Sequence, residues 1–197
     1  MNYETVELKT KRLIIKKGQK EDFLRVYEYD FNKLKNVDGE CKLVKNDPNK
    51  ILSLFNGGIK KYYSKLKKAH MFDWIVYLDN EPIGNILTTD EDSKNMMIET
   101  TYNLHPSYWG NGYMPEAVAC VIDYLFKLGY ESIVCAYLDG NLKAKRTLTK
   151  LGFKPYKINE DAFKSEAGNM IDEYKTIMTK EDWLSRTQKI SKLKDSL

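Results

Sequence analysis

Residues 105–118 read HPSYWGNGYMPEAV and place two glycines, Gly110 and Gly112, one residue apart before a segment of helical spacing. The chemistry such a stretch can do is anion binding. A helix start leaves main-chain N–H groups unpartnered at the positive end of the helix dipole. Glycines let the backbone curl until several of those N–H groups converge, forming a nest for phosphate oxygens. Pro115 suits the first helical turn, where its missing N–H would be unpaired anyway. The candidate donors are then Asn111, Gly112, Tyr113 and Met114. A glycine-rich turn with no ligand has the same spacing. A dinucleotide fingerprint half matches GNGYMP, but it lacks the third glycine. The roughly 85 residues after the loop are also short for a doubly wound half plus a substrate domain.

Other reactive side chains are few. Two histidines, His70 and His105, stand far apart, and the three cysteines, Cys41, Cys120 and Cys135, include no C-x-x-C. No zinc-ligand spacing and no Cys–His or Ser–His couple can be built from them, so no metal is expected. His105 precedes a proline and reads as loop.

The elements that must position the loop follow from periodicity. TKRLIIKK (10–17) reads as a first strand and KEDFLRVYEYDF (20–31) as a helix. Residues 32–48 read as loop, and 49–69 as a helix interrupted at Gly57-Gly58. Residues 72–78 and 83–89 form a hairpin about the turn 79–82, and 95–104 is the strand that runs into the loop. EAVACVIDYLFKLG (116–129) puts Val118, Val121, Ile122, Leu125 and Leu128 on one helical stripe, with Gly129 at the left-handed C-terminal position. SIVCAYL (132–138) is a strand. NLKAKRTLTKLGF (141–153) is a short helix with Asn141 as N-cap and Gly152-Phe153 as a Schellman end. Residues 153–158 and 173–179 read as strands around an irregular acidic segment, and 180–194 as a terminal helix. The expected architecture is one α+β domain over residues 1–197. It has a single mixed, mostly antiparallel sheet, a central β-α-β unit and helices on both faces.

Three blocks resemble the GNAT N-acetyltransferase superfamily, in its ribosomal-protein N-terminal acetyltransferase branch. LKTKRLIIKK resembles the branch's opening T-x-R-L-x-L-R. IETTYNLHPSYWGNGYMPEAV resembles E-I-G-Y-x-L-x-P-x-x-W-G-x-G-Y-A-T-E-A, and NLKAKRTLTKLGF resembles N-x-x-S-x-R-x-L-x-K-x-G-F. The order of elements is also the family's order. The resemblance implies an acetyltransferase that uses acetyl-CoA as cosubstrate. Asn111, Gly112, Tyr113 and Met114 would hold the diphosphate. A backbone N–H near Leu104 would polarise the thioester carbonyl. The strand before the loop would splay from its parallel neighbour, between residues 102–104 and 133–138, to admit pantetheine.

Glu99 matches the strand glutamate that the family uses as general base. The chemistry needs one, because an ammonium must lose a proton before it can attack. A charged strand residue that merely orients substrate would fit the same position. Asn141 would meet the pantetheine arm or cap its helix, and Lys145 and Arg146 would meet phosphates or face solvent. Two departures stand out: the family serine falls on Ala144, and the general-acid tyrosine of other members falls on Leu148. Met114-Pro115 replaces the family's Ala-Thr, which adds bulk and removes one donor.

The charge balance is +4, from 32 basic and 28 acidic residues that are interleaved, so no DNA partner is expected. No run of eighteen apolar residues exists, so no membrane span is expected. Unpaired cysteines and the absence of a leader point to the cytoplasm. The expected partner is an amine acceptor: a peptide N-terminus, a polyamine or an aminoglycoside-like compound. A ribosomal protein and a second copy of the chain are further candidates. Residues 25–60 and 155–173 would form the acceptor side, the latter with Glu160, Asp161, Glu166, Asp172 and Glu173. The lysine run Lys60, Lys61, Lys65, Lys67, Lys68 would face an acidic or ribosomal surface, or solvent. Two other classes remain open: a catalytically silent acyl-CoA-binding module and a ribosome- or RNA-binding module.

Overall fold

The computed structural model describes residues 5–27, 72–164 and 168–195. Among the described residues eight strands build one sheet: β1 (Leu8–Lys9), β2 (Ile14–Lys16), β3 (Asp73–Leu78), β4 (Glu81–Asp92), β5 (Met97–Leu104), β6 (Ser132–Leu138), β7 (Lys154–Lys164) and β8 (Met170–Thr179). The helices among the described residues are α1 (Lys20–Val26), α2 (Tyr113–Lys127), α3 (Leu142–Leu151) and α4 (Lys180–Asp195), with a 3-10 turn at Pro106–Tyr108. The strand order is β1-β2-β3-β4-β5-β6-β8-β7. Among these strands only β5 and β6 pair in parallel; α2 is the crossover between them, and the other described neighbours are antiparallel.

Alternation along the strands sorts side chains between two faces. On one face Ile15, Trp74, Val76, Ile98 and Ile133 meet the buried stripe Val118, Val121, Ile122 and Leu125 of α2. On the other, Ile75 and Tyr77 pack with Val26 of α1. The ends of the two central helices form as their glycines require. Gly129 takes φ +104° and Gly152 φ +94°. The Gly152 and Phe153 N–H groups both donate to the Leu148 carbonyl at 3.0 Å, which closes α3. Helix α4 returns to the body of the fold: Trp183, 5% exposed, donates its indole N–H to Asp123 on α2.

Several boundaries differ from the sequence expectation. Residues 10–17 are not one strand. The Thr10 hydroxyl accepts the Leu13 N–H at 2.9 Å and the Arg12 N–H at 3.3 Å, so residues 10–13 turn and β1 pairs with β2 as a hairpin. Strand β4 runs on to Asp92, whose carboxylate accepts the Lys94 and Asn95 N–H groups and so fastens the turn into β5. Helix α2 begins at Tyr113 rather than at 116. The acidic segment after 158 is mostly strand, because β7 and β8 form a long hairpin that absorbs its irregularity as register shifts. The continuation of the first helix beyond residue 27, the loop 32–48, the helix 49–69 with its lysine run, Cys41, His70 and Glu166 lie outside the described residues.

Candidate active site

The central feature is a wedge in the sheet. Parallel pairing of β5 with β6 runs from Met97↔Ser132 to Thr100↔Cys135 and stops there. Both strands continue. Residues 101–104 stay on β4, up to Gly84↔Leu104, and residues 136–138 stay on β8, up to Leu138↔Glu173. A bulge in β4 between Thr88 and Asp90 faces Glu99 and Thr100, where the divergence starts. A bulge bends a strand and raises its twist, which is the physical means of turning β5 away. The gap is therefore narrower than the sequence suggested, since residues 133–135 are still paired. Its floor is the buried contact between the Thr100 hydroxyl and the Cys135 sulfur at 2.8 Å.

The wedge exposes unpaired strand edges. His105 N–H donates to the Ile83 carbonyl at 2.8 Å, so those two form a hydrogen-bonded pair. In an antiparallel ladder the neighbouring residue, Leu104, then turns its N–H and C=O away from β4. The Leu104 carbonyl accepts the Trp109 indole N–H at 2.8 Å, which ties the loop to the end of β5.

At the mouth of the wedge stand the two glycines, Gly110 at φ +83° and Gly112 at φ +74°. Gly112 is the N-cap of α2 and supplies no side-chain cap. Among the described residues no acceptor meets the N–H groups of Asn111, Gly112, Tyr113 or Met114. Four donors thus stand free at a helix start, the arrangement that fits a diphosphate. The Met114 side chain is buried beneath them at 4% exposure. The Asn111 amide closes the loop by donating to the carbonyls of Tyr108 and Trp109.

The loop is braced from the N-terminal hairpin. Arg12 donates from Nε to Glu116 at 2.7 Å, from its main-chain N to the same carboxylate at 3.1 Å, and from Nη1 to the Asn111 carbonyl at 3.0 Å. Its guanidinium lies 4.5 Å from the Tyr113 ring centroid, and the Thr10 hydroxyl also donates to Glu116. Burial pushes the Glu116 carboxyl up, but the hydrogen bonds from Thr10 and Arg12 outweigh it and hold the group below the usual carboxylate range.

Glu99 lies on the face opposite α2, one residue before the last paired rung. It is not free. The Lys175 ammonium donates to it at 2.6 Å, and the two side chains are 21% and 22% exposed. Lys175 is opposite Ala136 on β6, and its ammonium reaches past that strand to Glu99 on β5. Burial pulls the Lys175 ammonium down; the hydrogen bond and charge of Glu99, then the charges of Glu173 and Asp90, outweigh it and raise Lys175 above its ordinary value.

Asn141 caps α3, its side-chain oxygen accepting the Ala144 N–H at 3.0 Å. Lys145 is exposed and lines a shallow hollow of about 370 Å³ on the outer side of α3 with Leu142, Arg146, Thr149 and Lys150. The α3 cation that meets the loop is instead Lys143, 4.0 Å from the Trp109 ring centroid. Leu148 is 1% exposed in the core. Within the acidic hairpin Asp172 accepts the Asp161 N–H and Glu173 accepts from Asn159, so both carboxylates fasten the strands. His105 accepts the Ser107 N–H at the 3-10 turn. Among the described residues no group of three or more His, Cys, Asp or Glu is placed to hold a metal, and no helix is long and apolar enough to cross a membrane.

Sequence reasoning missed Arg12, Trp109, Lys143 and Lys175 as parts of this site. Arg12 and Trp109 lie inside the motifs already quoted, so they had a signal. Lys143 and Lys175 had none.

The family model "Acetyltransferase (GNAT) domain" matches residues 12–154. An uncharacterized N-acetyltransferase of Bacillus subtilis, YnaD, is 24% identical over 90% of this chain and 99% of its own length. Another, p20 of Bacillus licheniformis, is 30% identical over 59% of this chain, which spans 65% of that relative's length. Mycobacterium smegmatis RimJ in complex with CoA-disulfide shares the fold at a TM-score of 0.73 with 14% identity, covering 90% of this chain and 88% of RimJ. With its splayed central strands and its glycine loop at the start of α2, the chain belongs to the GNAT acetyltransferase domain family.

Proposed function

We propose that this chain, as a single domain over residues 1–197, transfers an acetyl group from acetyl-CoA to a primary amine in a ternary complex. The observation that carries the proposal is the wedge between β5 and β6, opening beneath four unpartnered N–H groups. The cosubstrate supplies an activated thioester. The N–H groups of Asn111, Gly112, Tyr113 and Met114 bind its diphosphate. The freed edges of β5 and β6 take its pantetheine arm as an extra strand. The Leu104 N–H, turned from β4, donates to the thioester carbonyl oxygen where negative charge develops. Asn141 orders the start of α3 beside the arm, and Lys143, which meets the loop at Trp109, supplies positive charge for phosphates. Glu99 takes the proton of the acceptor ammonium, whose nitrogen then attacks the acyl carbon. The C–N bond forms, the C–S bond breaks, and the nitrogen's second proton passes by way of solvent to the departing thiolate, leaving a neutral amide and a thiol. The acceptor is an amine of one of three kinds: a peptide N-terminus such as that of a ribosomal protein, a polyamine or an aminoglycoside-like compound. A cytoplasmic setting accords with the free thiols of Cys120 and Cys135.

The test is thermal unfolding with acetyl-CoA, with NAD and ATP alongside, followed by an amine panel. At about 100 times Kd, binding adds roughly 2.7 kcal/mol, on the order of 5–10 °C for a domain of this size. A shift with NAD or ATP in place of acetyl-CoA overturns the proposal. A second reading, a silent acyl-CoA-binding protein, is favoured by the ion pair that occupies Glu99 and by Leu148 at the tyrosine position. A shift with acetyl-CoA but no turnover of any amine is its signature.

A further inference from the structure

Glu116 puts a carboxylate in the first turn of α2, two residues beyond the last donor of the diphosphate loop. Such a carboxylate normally stabilises a helix start. At a helix start that must receive an anion it is a competitor, because it repels that anion across about one helical turn. Here the competitor is quenched. Arg12 meets Glu116 Oε2 from both Nε and Nη2, each at 2.7 Å, and Thr10 and the Arg12 main-chain N–H take the other oxygen. The remaining arm of the same guanidinium holds the Asn111 carbonyl, and its flat face lies on Tyr113. One side chain thus grips the loop on both sides of Gly112. A Cβ at that glycine would stand 3.7 Å from Arg12 Nη2.

We infer that Arg12 is a positioning residue for the diphosphate end of the cosubstrate: it cancels the Glu116 charge at the foot of the loop and fixes the Asn111 peptide so that the neighbouring N–H groups face the ligand. The inference rests on the proposed function. It differs from a plain fold clasp in one respect. Its effect depends on the ligand carrying phosphates and on Glu116 carrying charge.

The test is equilibrium binding of acetyl-CoA and of S-acetylpantetheine, which lacks the diphosphate, to the full chain. Arg12→Met is expected to weaken acetyl-CoA binding tenfold or more and to leave S-acetylpantetheine binding within twofold. Adding Glu116→Gln to Arg12→Met is expected to restore most of the acetyl-CoA affinity, since the uncompensated charge is gone. Arg12→Gln, which keeps amide donors in the cleft, repeats the comparison if the methionine variant does not fold. Equal losses for both thioesters, or a double variant weaker than Arg12→Met, overturn the inference and leave Arg12 a clasp. If the wild-type chain binds neither thioester, the proposed function itself has failed, and that result is distinct.

Discussion

Replacing Glu99 with glutamine separates the two roles its position allows. The substitution keeps the shape and removes the charge that the Lys175 ammonium meets at 2.6 Å. A charge-assisted hydrogen bond contributes roughly 1.5–3 kcal/mol to stability. Water reaches about a fifth of each side chain, and Glu173 and Asp90 remain to balance Lys175. The expected loss is therefore at the low end, about 1–2 kcal/mol, or roughly 2–8 °C in Tm for a chain of this length. The catalytic loss is larger. A positioned general base contributes about 10²–10⁴-fold, which is roughly 2.7–5.4 kcal/mol on the barrier. The assay follows loss of thioester absorbance at saturating acetyl-CoA with the best amine of the panel, at a temperature where both proteins are folded. Acetyl-CoA affinity should hold, because Glu99 lies below the wedge and away from the loop. A variant that keeps more than a third of the wild-type kcat refutes the base assignment and leaves Glu99 as the counter-ion of Lys175.

Lys175 fixes the pH dependence of the same pair. Its value in the fold is raised above 10.5, so the stability it contributes is fully present below about that pH and is lost as pH rises through the folded value. Urea unfolding of wild-type and Glu99→Gln should differ at pH 8 and converge in strong alkali; a constant difference would contradict the ion pair. Gly84→Ala should cost about 1–3 kcal/mol, because its Cβ would stand 2.6 Å from the Asn103 carbonyl oxygen and push β5 off β4 beside Leu104; calorimetry reads the loss. Gly112→Ala forces an L residue to φ +74°, a cost of about 1–2 kcal/mol, and should shrink the thermal shift produced by acetyl-CoA. Trp109→Phe keeps a ring beneath Lys143 but loses the hydrogen bond to Leu104, so acetyl-CoA affinity should fall about fivefold for roughly 1 kcal/mol.

Local rules were legible wherever one segment answers to its own spacing. The stripe on α2, strand β6 at residues 132–138 and the Gly152-Phe153 ending all appear where periodicity and cap chemistry put them. The glycine pair announced a turn into a helix, and the left-handed angles at Gly110 and Gly112, with Gly112 as N-cap of α2, bear that out. Where a segment's fate depends on a distant partner, spacing failed. TKRL looks like strand by composition, yet the Thr10 hydroxyl turns the chain and joins Glu116, 106 residues away. The acidic stretch after residue 158 looks irregular alone, but pairing with β8 makes most of it strand.

The sequence by itself determined the order of the central elements, the mixed sheet they imply and the glycine turn at the start of α2, because these rest on contacts within a few residues or on a two- or 3.6-residue period. Only the tertiary structure decided where β5 leaves β6, that Lys175 reaches Glu99 from 76 residues away, and that Arg12 rather than a loop residue braces the α2 start. Those facts depend on sheet order, on a bulge in a third strand and on which side chains cross a face. No local pattern encodes such quantities, because the charges that meet there are set side by side only when the sheet closes.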